Sequence, residues 1–346
     1  MQGCGKIENK QGSKGRSPLA EREVSSLPLP AAEGGIWDVA TALLENGWET
    51  YFGGKIKQEK RIHKISWGKT NMIDLQTLFA IRGSTAVITG GSGGLGSVMA
   101  LALAKAGVRV AILSLHAASS AKVVEAIQAE NGEAIGIACD VLQRTDLEYA
   151  CTEVLKTFGP IDILINAAGG NFPQATTSAE VSFFDLDVRA IESVLDLNFT
   201  GTLQSCQVFG RSMAERGQGC IVNVASMNAL RPLTRIPAYS AAKAAVANFT
   251  QWLAVHMAQE YSFQIRVNAI SPGFFLTEQN RFLLTEAETG AMTPRGQAIL
   301  NHTPMGRFGT PEDLVGTLLW LVSPASAFVT GVVIPIDGGF SAYSGV

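Results

Sequence analysis

Thr85-Ala86-Val87-Ile88-Thr89-Gly90-Gly91-Ser92-Gly93-Gly94-Leu95-Gly96 is the stretch whose reading decides how this chain folds. Five residues rich in β-branched side chains run straight into a glycine cluster, and the amphipathic stretch Ser97–Gly107 follows. That order predicts a buried strand, a tight turn and a helix. Glycines at such a turn remove the side chains that would keep backbone amides away from a pyrophosphate, and the helix start adds its own positive end. Outward from this unit the same rhythm repeats. Strands are predicted at Thr85–Thr89, Val108–Leu113, Ala134–Cys139, Ile161–Asn166, Gly219–Ala225, Gln264–Ile270 and Val332–Asp337. Between them lie helical stretches, among them Ala121–Asn131 and Ser240–Glu260. Strand, crossover helix and strand form the right-handed unit of a parallel sheet. The expected fold class is therefore α/β, a doubly wound parallel sheet with helices on both faces.

Composition agrees with a packed α/β chain. The 346 residues are 47% hydrophobic and only 16% charged, with 36 glycines, which suits buried strands joined by tight turns. A net charge of −3 offers no footprint for nucleic acid. The five cysteines form no CxxC pair and share no ligand spacing with the four histidines, so neither a metal site nor a disulfide framework is expected. Apolar runs fall short of the roughly 20 residues that span a bilayer, and the N-terminus lacks the layout of a secretory signal. A cytoplasmic location without a membrane partner is the expectation.

A shift in composition near residue 71 divides the chain. Upstream it is polar and carries the basic run Lys55–Lys64, which reads as a solvated tail. Met72 opens a segment that reads like the natural start of an enzyme. Residues 1–71 are thus expected to be a poorly structured or dispensable extension, and residues 72–346 a single Rossmann-like domain of about seven strands.

Four polar residues on three predicted elements suggest proton chemistry. Tyr239 and Lys243 stand four apart in YSAAK, on one helix face with about 6 Å between Cβ atoms. The ammonium is expected to lower the phenol from its usual ~10 toward neutrality, where it can pass a proton in either direction. Ser226 comes 13 residues before Tyr239, at a strand end beside that helix, where its hydroxyl can meet a substrate oxygen whose charge changes. Asn198, in LNFTGT, is expected to interrupt regular helix bonding and to hold a water that links Lys243 to solvent.

The glycine pattern TGxxxGxG at Thr89–Gly96, together with Asn198, Ser226 and YSAAK, resembles the short-chain dehydrogenase/reductase family, from about Ile73 to the C-terminus. The resemblance implies a nicotinamide cofactor held by Thr89, Gly90, Ser92, Gly94, Leu95 and Gly96, with Tyr239 and Lys243 also touching it. It further implies Asp140 and Val141 at the adenine, Asn166 and Gly169 after the fourth strand, and Pro272, Gly273 and Thr277 at the nicotinamide carboxamide. Two positions depart from the family pattern. Ala167 stands where a second Asn is common, and Ser114 where an NAD enzyme often has an acid for the adenosine ribose. NAD(H) is favoured, with NADP(H) as the alternative.

Several stretches, among them INAAGGNFPQATT, SMNALRPLTRIPAYSAAK, PGFFLTEQNR and GGFSAYSGV, resemble the D-mannonate oxidoreductase (fructuronate reductase) branch. The resemblance implies a keto-sugar acid as substrate, interconverted with its hydroxy form. A sugar acid needs a cation for its carboxylate and amides or hydroxyls for its polyol chain. The candidates are Arg231, Arg235 and Arg281 with Asn171, Asn228, Gln279 and Asn280. Rival readings are another polyol, gluconate-type or 3-ketoacyl reductase, and a nucleotide-sensing scaffold without turnover. Pairing of the long helix after Lys243 between subunits, as in the family, implies a homotetramer.

Overall fold

The computed structural model describes residues 74–277, 281–286 and 289–345. The expected extension at 1–71 lies outside the described residues. Its counterpart forms one parallel sheet of β1 (Thr85–Thr89), β2 (Arg109–Ser114), β3 (Ala134–Ala138), β4 (Ile163–Asn166), β5 (Gly219–Val224), β6 (Ile265–Pro272) and β7 (Val333–Ile336). The strands stand in the order β3-β2-β1-β4-β5-β6-β7. All seven predicted strands are present, with ends shifted by a residue or two.

Alternation along each strand sorts side chains between two cores. Ala86, Ile88, Val110 and Ile112 face one side, against Met99 and Leu103 of α1 (Gly94–Lys105), Val123 and Ile127 of α2 (Ala117–Ala129) and, beyond them, Leu318. Val87, Ala111 and Leu113 face the other. There they meet Leu147 and Val154 of α3 (Arg144–Phe158), then Phe209 and Met213 of α5 (Gly201–Arg216), and Leu253 of α6 (Pro237–His256). The short α4 (Val188–Leu195) precedes α5, while α7 (Pro294–Asn301) and α8 (Val315–Val322), which carries Leu318, lie between β6 and β7. With helices on both faces, the central strands are buried from end to end, which is why they read as continuous apolar runs. Each fully buried Leu or Ile contributes about 1.5–3 kcal/mol relative to exposure, and this holds the helices to the sheet.

Register then places the site. Thr89 lies opposite both Leu113 of β2 and Asn166 of β4, so three strands end level. The chain leaves β1 toward β2 on one side and the β4 connection on the other. That is the switch point of a doubly wound sheet, where a crevice opens beyond the strand ends.

Helix starts differ more from expectation than strands do. α1 begins at Gly94, three residues earlier than predicted, because two glycines form its first turn instead of an outside loop. α6 begins at Pro237, a residue whose fixed φ suits the first helical position. Among the described residues no helix is long and apolar enough to cross a membrane.

Candidate active site

The crevice beyond β1, β4 and β5 is a cleft of about 480 Å³. One wall is bare backbone. Gly90 takes φ +64°, and a Cβ there would lie 2.7 Å from the Ala168 backbone, so only glycine fits. A Cβ on Gly96 would run into the Gly90 carbonyl, which locks α1 close under the turn. Gly93 differs, since a Cβ there would meet only the Gly90 carbonyl at an ordinary 3.4 Å. Its missing side chain therefore leaves the cleft clear beside the start of α1, where it is the N-cap residue with no side-chain capping bond.

The opposite wall is polar and buried. Lys243, only 4% exposed, donates from Nζ to the Val224 carbonyl at 2.8 Å, and Nζ lies 5.6 Å from the centre of the Tyr239 ring. Burial pulls its ammonium from 10.5 down to about 8. Ser226 follows β5, accepts the Asn228 amide at 3.3 Å and is hydrogen-bonded to Tyr239. Gly169 joins the two walls. A Cβ there would stand 2.6 Å from Asn198 Oδ1 and 3.1 Å from Lys243 Nζ.

Asn198 sits behind that glycine in a π-helical turn, Asp196–Thr200, between α4 and α5. Its Nδ2 donates to the carbonyls of Val194, four residues back, at 2.8 Å and of Gly170 at 2.7 Å, while Oδ1 accepts the Gly170 amide at 3.2 Å. The side chain thus takes up a carbonyl that a regular α-helix would have bonded through its backbone.

Tyr239 departs from the expected electrostatics. Burial raises its phenol above the ordinary 10.0, and the Ser226 hydrogen bond opposes this only in part. The expected lowering by Lys243 is overturned because the phenolate would form in a desolvated corner. At neutral pH the group is a proton donor.

Of the residues singled out from sequence, Gly90, Ser92, Gly94, Leu95, Gly96, Ser114, Asp140, Val141, Gly169, Ser226, Tyr239, Lys243, Pro272 and Gly273 line the cleft together. Others stand elsewhere. Thr89 is buried and accepts the Ala168 amide at 3.3 Å, tying β1 to the turn after β4. Asn166 corrects the expectation most clearly. Its Nδ2 donates to Asn223 Oδ1 at 2.9 Å and to Cys206 Sγ at 3.2 Å, so its side chain is held between β5 and α5 instead of at the cleft. Thr277 packs by its methyl, Cγ2, where a Cβ on Gly94 would come within 3.2 Å.

The substrate candidates are not gathered at the cleft. Asn171 is exposed and donates to Thr176 at 2.8 Å. Asn228 is buried with an unpartnered Oδ1 and shares a separate hollow with Arg235, whose backbone is left-handed at φ +74°. Arg231 and Arg281 are exposed, while Gln279 and Asn280 lie outside the described residues. Sequence reasoning missed Gly93, Leu115, Cys139 and Leu197 in the lining. Cys139 follows β3 at the strand end, and burial pushes its thiol up to about 12, away from the reactive thiolate form. Among the described residues no three His, Cys, Asp or Glu side chains gather as a metal site.

Comparison with known proteins is decisive for the family. A family model described as Enoyl-(Acyl carrier protein) reductase matches residues 90–341. An uncharacterized oxidoreductase of Bacillus subtilis (strain 168), UxuB, is 50% identical over 275 residues, covering 77% of this chain and 98% of its own. The chain is a short-chain dehydrogenase/reductase. A solved structure from Haemophilus influenzae, provisionally assigned as a D-mannonate oxidoreductase and holding NAD, has TM-score 0.73 and 45% identity over 77% of this chain and 98% of that one. A gluconate 5-dehydrogenase from Burkholderia cenocepacia J2315, in complex with NADP and tartrate, has TM-score 0.68 and 28% identity, covering 77% and 98%. This dehydrogenase is an oxidoreductase acting on alcohol groups with a nicotinamide cofactor.

The residues fit that cofactor. The wall of Gly90, Gly93 and Gly96 is one that added Cβ atoms would distort or fill, and the start of α1 faces it with uncapped amides. Ser114 brings a buried hydroxyl without a partner to the same cleft.

Proposed function

We propose that the chain interconverts a keto-sugar acid and its hydroxy form, D-fructuronate and D-mannonate, through proton transfer at Tyr239. The observation that carries the chemistry is the buried corner of Ser226, Tyr239 and Lys243 opposite the glycine wall. The substrate rests on the 45% identity to the H. influenzae protein. Gluconate-type reduction is the second reading, favoured by the likeness to the tartrate-bound B. cenocepacia enzyme.

A nicotinamide held in this cleft would supply or accept the hydride. In reduction, the neutral Tyr239 hydroxyl donates its proton to the carbonyl oxygen as that oxygen gains charge, and the Ser226 hydroxyl donates a hydrogen bond to the same atom. Lys243, anchored to Val224, presents its positive charge beside the phenol and stabilises the phenolate left behind. Asn198 holds the Gly170 backbone, next to the Gly169 position that passes close to Lys243. Asp140 and Val141 would hold the adenine, and Pro272, Gly273 and Thr277 would hold the carboxamide. Arg231, Arg235 and Arg281 remain the proposed cations for the substrate carboxylate.

A substrate panel followed by loss of NADH or NADPH absorbance tests this. D-fructuronate should be reduced faster than 5-keto-D-gluconate or an acetoacetyl thioester; equal or slower reduction would remove the mannonate assignment. The proposal includes a cytoplasmic homotetramer, supported by the exposed Trp252, Val255 and Tyr261 along and just beyond α6, and a dispensable segment at 1–71. Light scattering and intact-mass analysis of the native protein check these two points.

A further inference from the structure

Alongside the polar wall runs a hydrogen-bonded chain of side chains that no step of the reaction touches. Asn166 of β4 donates from Nδ2 to Asn223 Oδ1 of β5 at 2.9 Å, and Asn223 donates from Nδ2 to Thr250 Oγ1 of α6, also at 2.9 Å. Thr250 closes the chain by donating to the Val246 carbonyl at 2.8 Å. Asn223 and Thr250 are fully buried, and Asn166 nearly so. Replacing such a set by apolar groups of the same shape is close to neutral for stability. What the polar set supplies is direction. Apolar contacts let a helix slide over a sheet, whereas a hydrogen bond weakens steeply as its angle opens.

The chain stands where a small slide would matter. Pairing of β4 with β5 ends at Asn166 and Asn223, and the next carbonyl on β5, Val224, takes the Lys243 ammonium at 2.8 Å. Thr250 follows Lys243 by seven residues, close to two helical turns, so both lie on the buried stripe of α6 that faces β5. A bond at Thr250 therefore fixes the height at which Lys243 meets the strand end. Around Nζ stand Tyr239 from its own helix, Val224 from β5, Gly169 from the turn after β4 and Asn198 from the π-helical turn. Of these Tyr239 is the one that titrates, and the acids of α4 and the π-helical turn, Glu192 and Asp196, are exposed. The bond to Val224 is the contact that favours the charged ammonium.

Resting on the reading of Tyr239 and Lys243 as the proton-transfer corner, we infer that Asn223 and Thr250 are positioning residues of the reaction. They form a brace that sets α6 against β5, so that the Lys243 ammonium meets the Val224 carbonyl beside the phenol. Neither residue lines the cleft, and each acts through Lys243.

Thr250→Val keeps the shape and removes the hydroxyl, while Thr250→Ser keeps the hydroxyl. The measurement is the pH profile of kcat for the full chain at saturating dinucleotide, with whichever keto acid of the panel the wild type reduces fastest. In Thr250→Val, kcat should fall by about tenfold. The decline that the wild type shows near pH 8 should begin about half a pH unit or more lower, because an ammonium with a weakened hydrogen bond gives up its proton sooner. Thr250→Ser should return both toward wild type. Asn166→Leu, one bond further out, should move the decline the same way by less, and it carries the test if Thr250→Val does not fold. Val123→Ala, in the core on the other face of the sheet, should lower Tm and leave the decline in place. A decline that stays put in the folded brace variants, moves upward, or moves equally in Val123→Ala overturns the inference. A wild-type profile that is flat through pH 8 overturns the reading of Lys243 itself, and the brace with it.

Discussion

Along β1, α1 and the turn after β4, the cleft is made by leaving side chains out, while along β5 and α6 it is made by burying polar ones. Gly90 and Gly96 let backbone segments touch, and such contacts are as compatible with a stable fold as with a binding site. Lys243 is the reverse case. Its ammonium is buried against one carbonyl and no carboxylate, and its lowered titration point records what that costs the fold. One wall is a packing solution that also binds. The other is an expense to stability that only chemistry justifies.

The sharpest way to break this contrast is Lys243→Met. Reductase kcat/KM should fall by about 100-fold or more, as expected when a proton-transfer corner loses its charge. The fold should gain about 1–2 kcal/mol, because the desolvation cost disappears while one hydrogen bond is lost. A Tm rise of a few degrees in calorimetry beside dead kinetics would bear this out, and a lower Tm would contradict it. The pH dependence has a definite sign. Because the folded-state value, about 8, lies below 10.5, the cost of Lys243 is fully felt below pH 8 and fades as pH rises toward 10.5. Wild-type reduction should decline as pH rises through about 8, where the ammonium gives up its proton.

Gly90→Ala probes the bare wall and should act in the opposite sense. A left-handed φ and a contact at 2.7 Å predict a destabilisation of about 2–3 kcal/mol together with weaker dinucleotide binding. Thermal unfolding and a cofactor titration would separate the two effects.

The smallest effect is expected at Asn166, which belongs to neither wall. Asn166→Leu should cost about 1–2 kcal/mol by unpairing Asn223, yet leave the NADH dissociation constant within about twofold. A large loss of cofactor affinity would return Asn166 to the binding surface.

These contrasts also mark what the sequence could and could not convey. Strands were legible because burial on both faces forces continuous apolar runs, and Thr85–Thr89 was read to the residue. The start of α1 was not, because glycines score as loop residues although Gly94 and Gly96 occupy its first turn. The company of Ser226, Tyr239 and Lys243 at one cleft was legible from the i, i+4 spacing of the last two on one helix and the place of Ser226 after the strand before it. The direction of the Tyr239 shift was not, since spacing gives the nearness of a charge but not the desolvation that outweighs it. Asn166 shows a third limit. Which face of a strand end meets the cleft depends on register against Asn223, a long-range partner invisible locally. The arginines between Ser226 and Tyr239 were read as carboxylate ligands from charge alone, and loop geometry leaves both exposed.

The claim on which the rest depends is that the polar wall moves the proton. Tyr239→Phe removes one oxygen and leaves the ring, so the measurement is keto-acid reduction at saturating dinucleotide, paired with a titration of the dinucleotide itself. Turnover should drop by about 100-fold or more while the dissociation constant stays within about threefold. A variant that keeps more than about a tenth of the wild-type rate would contradict the account.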